Sequence, residues 1–443
     1  MSMPPSDKWL SAFRRLVVGH QEQLCALICQ EIHKTPFEAL TGDVLPLLAS
    51  LRWHERHAGA ILRPRRARGK PFFMLGQSAT LTRAPLGVVG IIATWNYPVQ
   101  LLGIQLTAAI AAGNRVVVKP SERSPQTQAL LLDLAAQALV IAGLPADTLM
   151  RLPATRQAGE QMLADHASGA QALDHVVFTG STAVGQQIAM FAAQHLLSST
   201  LELSGNDSAL VLDDADAAMA AKSIWHAVTM NGGQTCMAPR RVLVMPGAYA
   251  EFCKHLGDLA ATTTPRQLID AAAADRCREL AGKQAERQSA QSEQGAMYRP
   301  TAVFDAAAAS AVVAGDHFGP LLAVVRCSSL EEALDTHAAA GQHLSVSVYT
   351  RNVDHVRDTL AGQLGASQVN INDTLLPTAH PGTAIAGHAR SGWGASRGEA
   401  GLLAMTRPVA VTVTGRWLRT PLAEPSARVV GNFKAFMRFW FGR

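Results

Sequence analysis

Apolar positions within residues 7–60 recur at helical spacing: Trp9, Phe13, Leu16 and Val17 share one face, and Leu24, Leu27, Ile28 and Ile32 repeat the pattern. That predicts an amino-terminal group of helices. Residues 72–83 read as extended, and Pro85 ends the stretch. From Leu86 the rhythm changes to short apolar runs separated by longer helical patterns. Apolar runs at 86–93 and 116–118 and a strand at 175–179 alternate with helices expected over 99–112, 127–141 and about 183–195. Gly113 with Asn114, and later Gly143, stop the first two of these helices. Strands alternating with helices predict a parallel sheet covered on both faces, with ligands at the carboxyl ends of its strands.

A second alternating region runs from residue 208 to about 369, with strands near 209–212, 241–244, 321–325 and 345–349. Residues 261–294, rich in alanine and polar side chains, read as helix or surface segment, and 409–414 alternate like an exposed strand. In the final stretch, Phe433, Phe436, Met437, Trp440 and Phe441 fall at helical spacings among Arg428, Lys434, Arg438 and Arg443, with no acid between them. This predicts a basic amphipathic helix, able to lie on an anionic membrane but expected in preference to pack on its own or a partner subunit.

With 443 residues the chain exceeds what one hydrophobic core usually organises. Hydrophobic residues at 48% and charged residues at 16% exclude a mainly disordered chain. No apolar run reaches the roughly 18–20 residues that span a bilayer. The start, MSMPPSDKWL, has no basic region followed by an apolar core, so no secretory leader is expected. The net charge of +5 is modest, and the cluster Arg63, Arg65, Arg66, Arg68 and Lys70 lacks a recognisable nucleic-acid module. A solvated basic surface is expected there, with no nucleic-acid partner. Six scattered cysteines fit a reducing, cytoplasmic setting, and Cys25 and Cys29, on one helix face without further ligands, read as core thiols with no metal.

Four patterns carry candidate chemistry. In Asn231-Gly-Gly-Gln-Thr-Cys236 the glycines allow a tight backbone approach that leaves the sulfur accessible, although a free cysteine is as often a small core residue. Within Thr200-Leu-Glu202-Leu203-Ser204-Gly-Asn206, a carboxylate among apolar neighbours suits general-base work, the plainer alternative being a paired structural glutamate. The turn Phe178-Thr-Gly180-Ser181-Thr-Ala-Val-Gly185 opens a helix with small residues that let a phosphate reach its positive end. Trp95-Asn96-Tyr-Pro and Lys119-Pro-Ser121-Glu122 each follow an apolar run. There an asparagine amide can donate to an oxyanion and a Lys–Glu pair can bond ribose hydroxyls, or simply be surface charge.

In order, WNYP, KPSE, FTGSTxxG, LELSG, GGQTC, FGP and SGxG resemble the aldehyde dehydrogenase superfamily over roughly residues 83–415. The run after Gly233 is similar to the shorter branch of class 3 and coniferyl aldehyde dehydrogenases, and the interval from Glu202 to Cys236 is the one that family shows. The resemblance implies an α/β chain with a Rossmann-like NAD-binding domain (1–204), an α/β catalytic domain (205–390), a return segment (391–415) and a tail (416–443). A small bridging β element, from about 67–85 and 406–415, would support a homodimer. It further implies oxidation of an aldehyde to a carboxylic acid, with Cys236 as nucleophile, Asn96 on the oxyanion and Glu202 activating water. NAD would lie against Trp95, Lys119, Ser121, Glu122, Gly180, Ser181, Gly185, Leu203, Asp316 and Phe318, and Glu122 would favour it over NADP, which some members of the branch accept. The alternatives are a catalytically weak binding or scaffold relative and a coenzyme A-acylating enzyme, the latter disfavoured by the retained Glu202.

Three positions depart from the family pattern. Asp316 replaces the usual glutamate, Ser204 the usual glycine, and Ala384-Ile385-Ala386-Gly387 the usual PFGG. An apolar or aromatic aldehyde is the expected substrate.

Overall fold

Alternating apolar runs pair into two parallel sheets, and the first orders its strands around the run that begins the α/β pattern. In this computed structural model, residues 5–71, 74, 76–282, 295–415 and 424–442 are described. The first sheet runs Gly392–Trp393, Ser198–Leu203, His175–Gly180, Val88–Ile92, Arg115–Lys119, Leu149–Arg151. Every pairing is parallel except that of Gly392–Trp393, which is antiparallel and sets Gly392 opposite Glu202. From Val88–Ile92 the chain builds outward to Arg115–Lys119 and Leu149–Arg151, then returns to the other side with His175–Gly180. The strand order therefore reverses at Val88–Ile92, and the carboxyl ends around such a reversal form the crevice where open α/β sheets bind ligands.

The helix Gln100–Ala111 follows that crevice strand and has every residue from Leu101 to Ala111 buried. It packs against the helix Leu45–Ile61. The amino-terminal helices Pro5–Gly19 and Gln21–Ile32 lie over the helix Pro125–Ala142, where Trp9 Nε1 donates to the Ala135 carbonyl at 3.0 Å.

The second sheet is wholly parallel, in the order Thr301–Val303, Leu321–Arg326, Pro239–Val244, Asp207–Val211, Ser345–Tyr349, Gln368–Ile371. Separate apolar clusters cover its two faces, one around Leu210, Leu321 and Val346 and the other around Val211, Trp225 and Phe252.

The described residues within 63–83 and 408–442 form a distinct compact unit. It holds most of a three-stranded sheet ordered Arg65–Arg66, Gln77–Pro85, Thr406–Thr414, and within it Thr82 Oγ1 donates to the Val409 carbonyl at 3.2 Å. The expected tail helix is present as Ala427–Phe441, and Phe433, Trp440 and Phe441 on it are exposed.

The strands and helices named from the pattern appear within a few residues of their expected bounds. Elements that the pattern leaves unnamed include the short strands Leu149–Arg151, Thr301–Val303 and Gln368–Ile371, the helices Arg156–Ser168, Ala217–Thr229, Pro246–Thr262 and Leu330–Ala338, and the strand Ser198–Leu203. In the last of these, polar residues interrupt the apolar run, and neighbouring strands rather than its own pattern fix it in the sheet. Of the expected surface segment at 261–294, Ala271–Ala281 is helical, and 283–294 lie outside the described residues.

Candidate active site

The loop that carries Cys236 is bent by its own residues. After the helix Ala217–Thr229, Asn231, Gly232 and Gly233 take left-handed backbone angles, with φ of 53°, 58° and 69°. At Gly233 a Cβ would lie 2.4 Å from the backbone of Gly319, so only glycine admits this approach. Side chains then hold the loop. Asn231 Nδ2 donates to the carbonyls of Asn96 and Gln234, both at 3.0 Å, and the Asn231 amide donates to Glu38 Oε1 at 3.0 Å. Buried Arg240 donates to the carbonyls of Gly233 and Thr235 at 2.9 and 3.0 Å.

Asn96 sits just past the end of Val88–Ile92 and is buried. Its Nδ2 donates to the Gln234 carbonyl at 3.1 Å, which leaves the second amide hydrogen for a group in the cavity Asn96 lines. Behind it, Tyr97 Oη and Thr235 Oγ1 lie 2.6 Å apart, and Lys34 Nζ stands 3.6 Å from the centre of the Tyr97 ring. Lys34 is paired with Asp43 at 2.5 Å, both side chains fully buried, and Asp43 accepts from the amides of Val99 and Gln100. A buried ion pair thus ties the amino-terminal helices to the segment that follows Asn96.

Glu202 projects from Ser198–Leu203 and is also buried. Ser396 Oγ donates to its Oε1, while Gln105 Nε2 and Thr179 Oγ1 each donate to Oε2 at 3.3 Å. Burial pushes the Glu202 carboxyl above the usual carboxylate range, and the three donors and the Arg397 charge oppose that rise without cancelling it. The Cys236 thiol is pushed up to about 12, first by burial and then by the charges of Glu202 and Asp207, with Arg240 opposing. At neutral pH the resting sulfur therefore carries its proton, and it needs a base to become a nucleophile.

Asn96, Glu202 and Cys236 line one cavity of about 810 Å³. Trp95, Gly180, Ser181, Leu203, Asp316 and Phe318 also reach it, and Trp95 meets Phe318 edge-on at 5.8 Å. Phe37, Leu101, Met230, Leu344, Leu376 and Ile385 give its wall apolar stretches, and Lys222, His226, His317 and Asp373 are among its polar residues. The catalytic candidates and six of the ten cofactor candidates are brought together.

The remaining four lie outside the lining. Lys119 pairs with Glu122 at 2.6 Å past the end of Arg115–Lys119. Ser121 is buried and accepts from the Arg123 amide at 3.2 Å. Gly185 serves helix packing, since a Cβ there would lie 2.3 Å from Leu203. Ser181, which is in the lining, caps the helix Thr182–Gln194, its Oγ accepting from the Val184 amide at 3.4 Å.

Sequence reasoning did not single out Gln105, Ser396 or Arg397. Gln105 had one available signal, as a polar side chain within a run that is otherwise almost wholly apolar.

Comparison with known proteins places these features in context. The model of the aldehyde dehydrogenase family matches residues 1–411. A 4,4'-diapolycopene aldehyde oxidase of Methylomonas sp is 31% identical, over 98% of this chain and 83% of its own. A dimeric, NADP-preferring aldehyde dehydrogenase of Canis lupus familiaris is 28% identical, over 88% of this chain and 85% of its own. Among solved structures, the NAD+ complex of an aldehyde dehydrogenase from Bacillus cereus is similar with a TM-score of 0.83 at 25% identity, covering 93% of this chain and 84% of that one.

Proposed function

This chain belongs to the aldehyde dehydrogenase family, and from that premise we propose how its own residues carry the oxidation of an aldehyde to a carboxylic acid. The observation that carries the reading is that Cys236, Glu202 and Asn96 line a single cavity.

The residues present fit a nicotinamide dinucleotide. Gly180 and Ser181 stand at the positive end of the 13-residue helix Thr182–Gln194, where an anion is favoured. Leu203 fills the place of a side chain at Gly185, which lets that helix lie close to the sheet. Lys119 and Glu122 offer a donor and an acceptor for ribose hydroxyls, with Ser121 between them, and Asp316 and Phe318 offer a wall for the nicotinamide end. When bound, NAD or NADP supplies the acceptor for the hydride that leaves the former aldehyde carbon.

Cys236 begins as a thiol and gives its proton to solvent water as it attacks, which leaves Glu202 unprotonated for the hydrolysis step. The sulfur lone pair bonds to the aldehyde carbon as the carbonyl π electrons move onto oxygen, and the second Asn96 amide hydrogen, with the Cys236 backbone amide, meets that oxyanion. Loss of hydride leaves a thioester on Cys236. Glu202 then removes a proton from water as the water oxygen attacks the thioester carbonyl, and expulsion of the thiolate releases the acid.

The apolar stretches of the wall, at Leu101, Met230, Leu344, Leu376 and Ile385, favour an aldehyde on a hydrocarbon body. The Methylomonas relative is named for such an aldehyde. The division into an NAD-binding part (1–204), a catalytic part (205–390), a return segment and a tail belongs to the same reading.

Six free thiols suit a reducing cytoplasm. Among the described residues no helix is long and apolar enough to cross a membrane. The exposed aromatic face of Ala427–Phe441 we assign to a partner subunit in a homodimer, ahead of an anionic membrane surface.

A panel of short, long-chain, aromatic and polyene aldehydes, read by NADH or NADPH absorbance, tests the function. Aldehyde-dependent reduction is expected to be strongest with apolar members. Dinucleotide binding with no reduction across the panel would instead support a scaffold relative, and absolute dependence on coenzyme A an acylating enzyme.

A further inference from the structure

Glu202 is held from three elements, and one of them has no part in the mechanism above. Taking Glu202 as the base, we propose that Ser396 is its positioning residue: the Ser396 hydroxyl fixes one carboxylate oxygen, with buried Arg397 next to it in the chain.

Topology delivers both residues. The strand Gly392–Trp393 pairs antiparallel with Ser198–Leu203, Gly392 facing Glu202. The chain then turns into Ala395–Ser396, which pairs with Ile385–Ala386 on the cavity wall. From there Ser396 Oγ donates to Glu202 Oε1. Ser396 and Arg397 are each only 1% exposed.

Arg397 is unusual on two counts. Its φ of 65° is left-handed for a residue with a side chain, and strain of this kind collects at functional sites. Its guanidinium donates to the Thr383 carbonyl at 2.7 Å, to Thr383 Oγ1 at 2.9 Å and to the Thr378 carbonyl, all neutral acceptors. Among the described residues no carboxylate lies within ion-pair distance of it.

The groups facing Glu202 are Ser396 and Arg397 from this segment, Gln105 from the helix Gln100–Ala111, Thr179 from His175–Gly180 and the titratable Cys236. Ser396 favours the charged form, so losing its hydroxyl moves the Glu202 titration to higher pH.

The test uses the full chain, hexanal and NAD, following hydrolysis of the acyl-enzyme in single turnovers across about pH 5 to 9. Ser396→Ala is expected to keep the NADH burst, to slow acyl-enzyme hydrolysis about tenfold at neutral pH and to raise its acid midpoint by about one unit. Ser396→Thr, which keeps a hydroxyl, is expected to restore both. An unmoved midpoint in folded Ser396→Ala overturns the assignment, as does a Ser396→Thr protein that behaves like Ser396→Ala. Glu202→Gln separates the two readings. If that protein still hydrolyses its acyl-enzyme, the base itself is misassigned; if it stalls while Ser396→Ala is unmoved, only the positioning role falls.

Discussion

The sulfur and the base sit in the same cavity and are built in opposite ways. Cys236 rides on a kinked loop, and the acids that act on it, Glu202 and Asp207, both disfavour its charge. Glu202 stands on a sheet strand and receives three neutral donors and the field of Arg397, all of which favour its charge. Burial opposes ionisation at both sites. The difference is that the groups around the carboxylate all favour its charge, whereas two acids outweigh Arg240 at the thiol. A proton is therefore held on sulfur in the resting protein, which keeps an oxidisable thiolate out of it.

Substitutions can break each side of this contrast. Cys236→Ala is expected to lower aldehyde-dependent NADH formation by on the order of 10⁴-fold or more, with NAD binding unchanged by calorimetry. Turnover that survives would remove the sulfur from the chemistry. Glu202→Gln should lower steady-state turnover by about 10²–10⁴-fold while one equivalent of NADH still appears, because the acyl group is stranded. Asn96→Ala takes away the oxyanion donor and a tie to Gln234, and is expected to cost about 10²–10³-fold in kcat with little change in cofactor affinity.

Acidity sharpens the same contrast. Since burial raises the Glu202 pKa, its basic form is lost as pH falls through that raised value. The acid limb of kcat should then lie above the range of about 4.3 for an ordinary glutamate, and a limb at or below that range would contradict the burial argument. The smallest effect is expected from Glu122→Gln. Half exposed and paired with Lys119, Glu122 should shift the NADP-to-NAD ratio of kcat/KM upward only several-fold. Identical ratios would place it away from the ribose.

The same contrast explains what could be read from the chain beforehand. The sulfur loop is one contiguous motif whose glycines have a local reason, since Gly233 meets Gly319, and so it was legible. Glu202 was legible for its apolar flanks. The groups that hold it were not, because Gln105 and Ser396 lie 97 and 194 residues away along the chain and meet it only through sheet topology. Lys119 and Glu122 were legible as a pair, and they pair as expected past the end of a strand. Their distance from the catalytic cavity depends on the spacing of strands across the sheet, which no local pattern encodes. The Lys34–Asp43 pair escaped notice for a similar reason: its significance lies in burial beneath Tyr97, and in sequence it is only two charges in an amphipathic region.

Mass spectrometry of the Glu202→Gln protein, quenched after mixing with NAD and an apolar aldehyde, tests the centre of the account. The peptide containing Cys236 is predicted to gain the mass of the substrate's acyl group, in step with one equivalent of NADH. An unmodified Cys236 peptide in a protein that goes on producing NADH would contradict it.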